Sequence, residues 1–299
     1  MWQQLAERIH RGDTKAIARG VSLIENAVEG YEELLQGLRQ NSDAKVIGVT
    51  GPPGAGKSTL VDVLIGLFIK NKKKVAVLCV DPSSPFSLGA LLGDRIRMNK
   101  WHNRQEVFIR SLATRGSLGG LSPSIIGIAE VMKAASFDYI IVETVGVGQS
   151  EIEISRLADI TIVVLVPESG DEIQTMKAGL MEIADIFVVN KSDRPDADLF
   201  ARNLHRLLIE RPVRNPRQIP VVKTIATASQ GIDELYARIL ESLADGSSEE
   251  KKLTLLIEQA YILIQKKRMK DISREALSEI INTAMQKPDF NFYRLINAL

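Results

Sequence analysis

"GPPGAGKST", Gly51 to Thr59, decides the fold of this chain. It follows the β-branched run Val46–Thr50 and opens a helical stretch, which is the context that a Walker A phosphate loop requires. Gly54 and Gly56 let the backbone curl so that successive N–H groups face the phosphates, and the helix N-terminus adds the positive end of its dipole. Lys57 reaches the β- and γ-phosphates as a point charge, and the Ser58 hydroxyl suits Mg²⁺. Gly51, Pro52, Pro53, Gly54, Ala55, Gly56, Lys57, Ser58 and Thr59 are therefore expected around a bound nucleotide.

From this loop outward, short apolar runs alternate with helical stretches: Val75–Val80, Val107–Ile109, Tyr139–Glu143, Ile160–Val166, Ile186–Asn190 and Val221–Thr224. Unbroken runs of this kind suit parallel strands covered on both faces, so the expectation is an α/β fold with a doubly wound, mostly parallel sheet. Residues 1–44 carry apolar positions at helical spacing, such as Ile17, Val21, Ile24 and Val28, and read as an N-terminal helical segment. Gly246-Ser247-Ser248 closes the P-loop domain, taken as residues 45–245, and 246–299 reads as a helical extension. Its first helix is expected from Glu249 to about Lys270, with Leu253, Leu256, Ile257, Ala260 and Ile264 on one stripe and Leu255 and Ile262 on another. A helix apolar on two sides needs two partners. The other helices of the chain would supply cover on one reading, a second copy of the chain on the other.

The base is indicated by "NKSD", Asn190 to Asp193. An aspartate at 193 accepts from both N1–H and the exocyclic amino group of guanine, and adenine offers no such pair of donors on that edge. Bonds of this charge-assisted kind contribute about 1.5–3 kcal/mol each, enough to select GTP over ATP. Asn190 would support the loop, and the stem of Lys191 would pack on the base plane. Thr224, Ile225 and Ala226 end a later strand and can supply backbone contacts to the base edge.

"VETVGVGQSE", Val142 to Glu151, has the look of a phosphate-sensing segment that carries glutamate in place of the usual aspartate. Glu143 ends an apolar strand and so faces the C-terminal edge of the sheet, where ligands of open α/β folds bind. There it can hold Mg²⁺ through water, while Gly146 offers an unhindered N–H to the γ-phosphate. Asp81, ending a strand, and Asp94, in "LGDRIRM", can each approach the metal or serve as helix caps. His10, His102 and His205 are scattered without metal spacing, and Cys79 reads as a buried strand residue.

Composition limits the remaining possibilities. In 299 residues, 38 basic and 37 acidic side chains leave a formal net charge of +1, which gives no electrostatic reason to expect a nucleic-acid partner. A single cysteine cannot form an intrachain disulfide. Glu7 and Arg8 fall where a secretory leader would be apolar, and the chain has no run of about 18 apolar residues, so a cytoplasmic protein without a membrane span is expected.

Together, "GPPGAGKST", "DPSSPFSLGALLGDRIRM", "RSLATRGSLGGLS", "ETVGVGQSEIEI", "VPESGDEIQTMKAGLMEIADIFVVNKSD" and "GIDEL" resemble the MeaB/ArgK family of G proteins, through roughly residues 45–245. These proteins are chaperones of adenosylcobalamin-dependent methylmalonyl-CoA mutase. The resemblance implies a GTPase that binds GTP/GDP and Mg²⁺, with Ser58, Asp81, Asp94 and Glu143 around the metal and an adenosylcobalamin-dependent acyl-CoA mutase as partner. It also implies that Asp171 and Lys177 lie in a third switch that responds to that partner. Three positions depart from the family pattern: Glu168 and Leu88 stand where glycine is usual, and Ser117 replaces a common histidine. Some members carry an older description as kinases of arginine and ornithine transport systems, which keeps a phosphotransferase acting on a periplasmic binding protein as an alternative. A GTPase serving another metallocofactor is a further one; a nickel carrier would be expected to show a Cys/His metal site. Val147, rather than glutamine, follows Gly146, so no residue in the usual place orients the attacking water, and slow unassisted hydrolysis is expected.

Overall fold

The computed structural model describes residues 1–39, 43–81, 98–101, 103–113, 122–144, 146, 150–169, 178–210, 219–245, 249–269, 272–287 and 289–299. Asp94, Ser117, Leu88, Asp171 and Lys177 lie outside these, as does the side chain of Asp81, whose backbone closes a strand.

Each apolar run becomes a strand: β1 (Lys45–Thr50), β2 (Val75–Asp81), β3 (Val107–Ala113), β4 (Tyr139–Thr144), β5 (Ile160–Leu165), β6 (Ile186–Val189) and β7 (Val221–Lys223). They form a seven-stranded sheet in the order β3-β2-β4-β1-β5-β6-β7, with all neighbours parallel. Alternate residues serve opposite faces, as the pleat dictates. Ile162 and Val164 join the core that holds Leu60, Leu64 and Phe68, while Val163 and Leu165 pack with Phe200 and Leu204 on the other side. That two-sided burial explains why the strands read as continuous apolar runs rather than alternating ones.

The chain divides into two compact units, Met1–Leu255 and Leu256–Leu299. In the first unit, helices α1 (Trp2–His10), α2 (Thr14–Glu25) and α3 (Tyr31–Gln36) pack together, and Ile9, Ile17, Val21, Ile24 and Leu34 are buried. Asp13 caps α2, accepting from the Lys15 and Ala16 amides at 2.9 and 3.1 Å, and it also pairs with Arg8. Arg110 on β3 donates to Glu25 and Ser22, both at 3.1 Å, which ties α2 to the sheet edge. Beyond β1 the phosphate loop leads into α4 (Lys57–Lys70), which is apolar on most sides because the sheet and its neighbours enclose it. Helices α5 (Ser124–Ala134), α6 (Ser150–Glu153), α7 (Ala178–Ile183), α8 (Ala197–Glu210) and α9 (Ile232–Asp245) complete the layers, and α10 (Glu249–Arg268) begins in this unit.

The second unit holds the rest of α10 with α11 (Arg274–Met285) and α12 (Phe292–Ala298), and none of its described residues is buried. Ser273 and Asn291 cap α11 and α12 through side-chain bonds to the Ala276 and Arg294 amides, both at 3.0 Å. On α10, Leu253, Leu256, Ile257, Tyr261 and Ile264 are all more than half exposed, at 54–67%. Among the described residues no helix is long and apolar enough to cross a membrane.

Candidate nucleotide site

The phosphate loop emerges from β1, between β4 and β5, at the C-terminal edge of the sheet. In a parallel sheet whose strand order reverses here, this edge is where a ligand is held. Gly56 caps α4 in the left-handed region at φ +88°, and a Cβ there would lie 2.4 Å from Asn190 Nδ2. Glycine is therefore required twice over, by the dihedral and by the close approach of the asparagine. The Lys57 ammonium donates to the Gly51 and Pro52 carbonyls at 2.8 and 3.0 Å, so the lysine is held along the loop it belongs to.

Parallel pairing places Glu143 of β4 opposite Val49 of β1 and Cys79 of β2. Its carboxylate consequently reaches the start of α4, where Ser58 Oγ donates to Glu143 Oε1 at 2.7 Å. Both side chains are buried. A hydroxyl and a carboxylate gathered beside a phosphate cradle form a hard oxygen set, and they fit Mg²⁺. Three residues beyond Glu143, Gly146 has φ +85°, and a Cβ on it would lie 2.1 Å from the Gly51 carbonyl and 2.7 Å from Lys57 Nζ. Gly146 thus lies directly against the phosphate loop, with room for a backbone and nothing larger.

The base side is organised by Asn190, which is 2% exposed at the end of β6. Its Nδ2 donates to the Ala55 carbonyl at 2.9 Å, and its Oδ1 accepts from Thr224 Oγ1 at 3.1 Å and the Ala226 amide at 3.2 Å. The amides of Thr224 and Ile225 donate to Val189 and Gln230, so this segment acts as a wall that orients Asn190. Lys191 takes a left-handed φ of 55° and is half-buried. Ser192 is fixed on both sides, by Oγ to the Val189 carbonyl at 2.6 Å and by its amide to the Thr224 carbonyl at 3.0 Å. Asp193 follows with its side chain exposed.

Sequence reasoning overlooked the Thr50–Thr144 pair. Thr144 Oγ1 donates to Thr50 Oγ1 at 2.9 Å, both buried, which ties the strand that carries Glu143 to the strand that leads into the phosphate loop. The signal was there, a threonine immediately before Gly51 and another immediately after Glu143. Glu168 and Arg194 were also missed as a pair; they join the turn after β5 to the loop after β6. Among the described residues no cluster of three or more His, Cys, Asp or Glu could hold a metal. Of the four residues expected around Mg²⁺, Ser58 and Glu143 are the two whose side chains are described, and they meet at the start of α4.

The all-parallel sheet with its phosphate loop has the fold of a P-loop GTPase. A sequence profile described as methylmalonyl-CoA mutase-associated GTPase MeaB matches residues 17–284, and the chain belongs to that family. It is 33% identical over 299 residues to the GTPase ArgK of Escherichia coli, covering 96% of this chain and 87% of the relative. It is 34% identical to the fused isobutyryl-CoA mutase of Geobacillus kaustophilus over 302 residues, 93% of this chain and 27% of that larger protein. Among solved structures, one described as LAO/AO transport system kinase superposes with a TM-score of 0.75 at 25% identity, covering 99% of this chain and 96% of that one.

Proposed function

We propose that this GTPase is a chaperone and gatekeeper for an adenosylcobalamin-dependent acyl-CoA mutase of the methylmalonyl-CoA mutase type, coupling GTP hydrolysis to loading and protection of the mutase's cofactor. The observation that carries the reading is the fused relative, in which a region similar to nearly this whole chain shares one polypeptide with an acyl-CoA mutase. A G protein joined covalently to a mutase acts on it at high effective concentration; a separate chain of the same family would reach its mutase by docking. Residues 45–245 serve as the GTPase domain, 1–44 as its helical support and 246–299 as an extension through which two copies associate in the cytoplasm. The exposed apolar residues of α10 support that association.

In the proposed reaction the loop residues Gly51–Thr59 receive the phosphates through backbone N–H groups, and Lys57 turns from the Gly51 and Pro52 carbonyls toward the β- and γ-phosphates. Ser58 and Glu143, with Asp81 and Asp94, would hold Mg²⁺, which when bound neutralises charge on the phosphoryl oxygens. Gly146 presents its N–H toward the γ-phosphate. Asp193 accepts from guanine, Asn190 keeps its loop in place, and Thr224–Ala226 close the base edge. Lys177, released from Asp171 when the mutase binds, neutralises charge that develops on the γ-phosphoryl group.

Single-turnover hydrolysis with and without the partner mutase tests this. The mutase should accelerate the native protein and leave Lys177→Ala at its basal rate; undiminished stimulation of that variant removes the role of Lys177, and no stimulation of the native protein removes the mutase reading. The likeness to a LAO/AO transport system kinase supports a second reading, transfer of phosphate to a transport binding protein. Incubation with such a protein and γ-labelled GTP would decide between them by label on protein against free phosphate.

A further inference from the structure

Arg194 follows Asp193 directly, and its amide closes a local turn by donating to the Lys191 carbonyl at 3.0 Å, a bond that stays within the loop. Asn190 and Ser192 are fixed by amide bonds to the Leu165 and Thr224 carbonyls at 2.8 and 3.0 Å. Asp193 through Asp196 are exposed, and Asp196 sits at φ 64°. Among the described side-chain contacts, this exposed half of the loop is linked to a neighbouring element by Arg194 Nη1, which donates to Glu168 Oε1. Glu168 belongs to the 3-10 turn Pro167–Ser169, immediately after β5, while Asp193 and Arg194 follow β6. Because β5 and β6 are adjacent and parallel, both loops leave the same edge of the sheet, and the ion pair spans them. The Arg194 hydrogen bond holds the Glu168 carboxyl below its ordinary range, as expected for a carboxylate that is charged and paired.

We propose that Glu168 and Arg194 are a positioning pair that holds Asp193 in its guanine-accepting posture and thereby slows release of guanine nucleotide. The proposal rests on the reading of Asp193 as the acceptor for guanine. Neither residue of the pair touches a reacting atom. Their work is to restrict the exposed half of the loop, so that the carboxylate that must meet two donors at once spends more of its time in place. The two side chains are 43% and 50% exposed, so water and salt weaken the attraction, and the effect on release is of the size of an exposed pair, about threefold to fivefold.

The experiment is release of a fluorescent GDP analogue from the full chain, chased with unlabelled GDP, for the native protein, Glu168→Gln, Arg194→Ala and the exchanged pair Glu168→Arg with Arg194→Glu. The single variants should release about threefold to fivefold faster, and the exchanged pair should return toward the native rate. A loss of shape or fold at either position would not be repaired by exchanging the charges. Native rates in both single variants, or an exchanged pair as fast as the singles, overturn the proposal. Binding of xanthosine diphosphate to Asp193→Asn reports separately on the base reading. A switched preference together with native release rates in the single variants overturns the pair alone; an unswitched preference overturns the base reading and the pair with it.

Discussion

Ser58 Oγ and Glu143 Oε1 lie 2.7 Å apart in a buried contact that spans from the first turn of α4 to the end of β4. If that contact marks the metal site, Glu143→Ala should weaken Mg²⁺-dependent hydrolysis by about 10- to 100-fold, the cost usual for disturbing the surroundings of a metal. GDP affinity should change little, because metal and γ-phosphate are most engaged during transfer. Single-turnover rates across a Mg²⁺ titration give the answer, and a native rate in the variant would remove Glu143 from the metal site.

Asp193→Asn should exchange an acceptor for a donor on the base and shift preference from guanine to xanthine nucleotides, because xanthine presents a carbonyl where guanine has its amino group. Calorimetry with GDP and xanthosine diphosphate would show it. Equal affinity of the unaltered protein for GTP and ATP would sink the guanine assignment altogether.

Gly146→Ala is expected to stop the segment after β4 from approaching the phosphate loop, since the new methyl would meet the Gly51 carbonyl at 2.1 Å. The variant should retain GDP and lose the response to a γ-phosphate, with hydrolysis reduced on the order of 100-fold, as for the loss of one preorganised donor. Comparing the affinities of GDP and a non-hydrolysable GTP analogue measures this; a native affinity ratio with native turnover contradicts the close contact.

Removing residues 246–299 should give a monomer that still binds nucleotide, because the phosphate and base residues all precede Asp245. The full chain should be dimeric at micromolar concentration. Light scattering on both forms decides the matter, with a monomeric full chain counting against the proposed association.

All seven strands were legible because burial on two faces leaves uninterrupted apolar runs, and their bounds differ from expectation mainly at the ends. β3 extends to Ala113 where the sequence suggested a stop at Ile109, because Arg110 and Ser111 interrupt the apolar pattern; Arg110 remains in the strand by pairing with Glu25 on α2. Long-range partnership of this kind leaves no local trace. The same holds at the site: spacing pointed to the residues of the phosphate loop and of "NKSD", while the Asn190–Ala55 bond joins positions 135 residues apart and the Thr50–Thr144 bond joins positions 94 apart. The short helix Phe292–Ala298 went unforeseen, since seven residues give little room for a helical period to declare itself.

Asn190 bonds at once to the carbonyl of Ala55 in the phosphate loop and to Thr224 and Ala226 on the base wall. If these residues hold the nucleotide as proposed, one side chain joins the phosphate half and the base half of its site. Guanosine and pyrophosphate would then each meet one end of a shared scaffold, and joining them in GDP would add affinity through chelation. One buried amide thus sets the geometry against which the tether between base and phosphates is measured, and nucleotides with a longer or shorter tether would be rejected by distance alone.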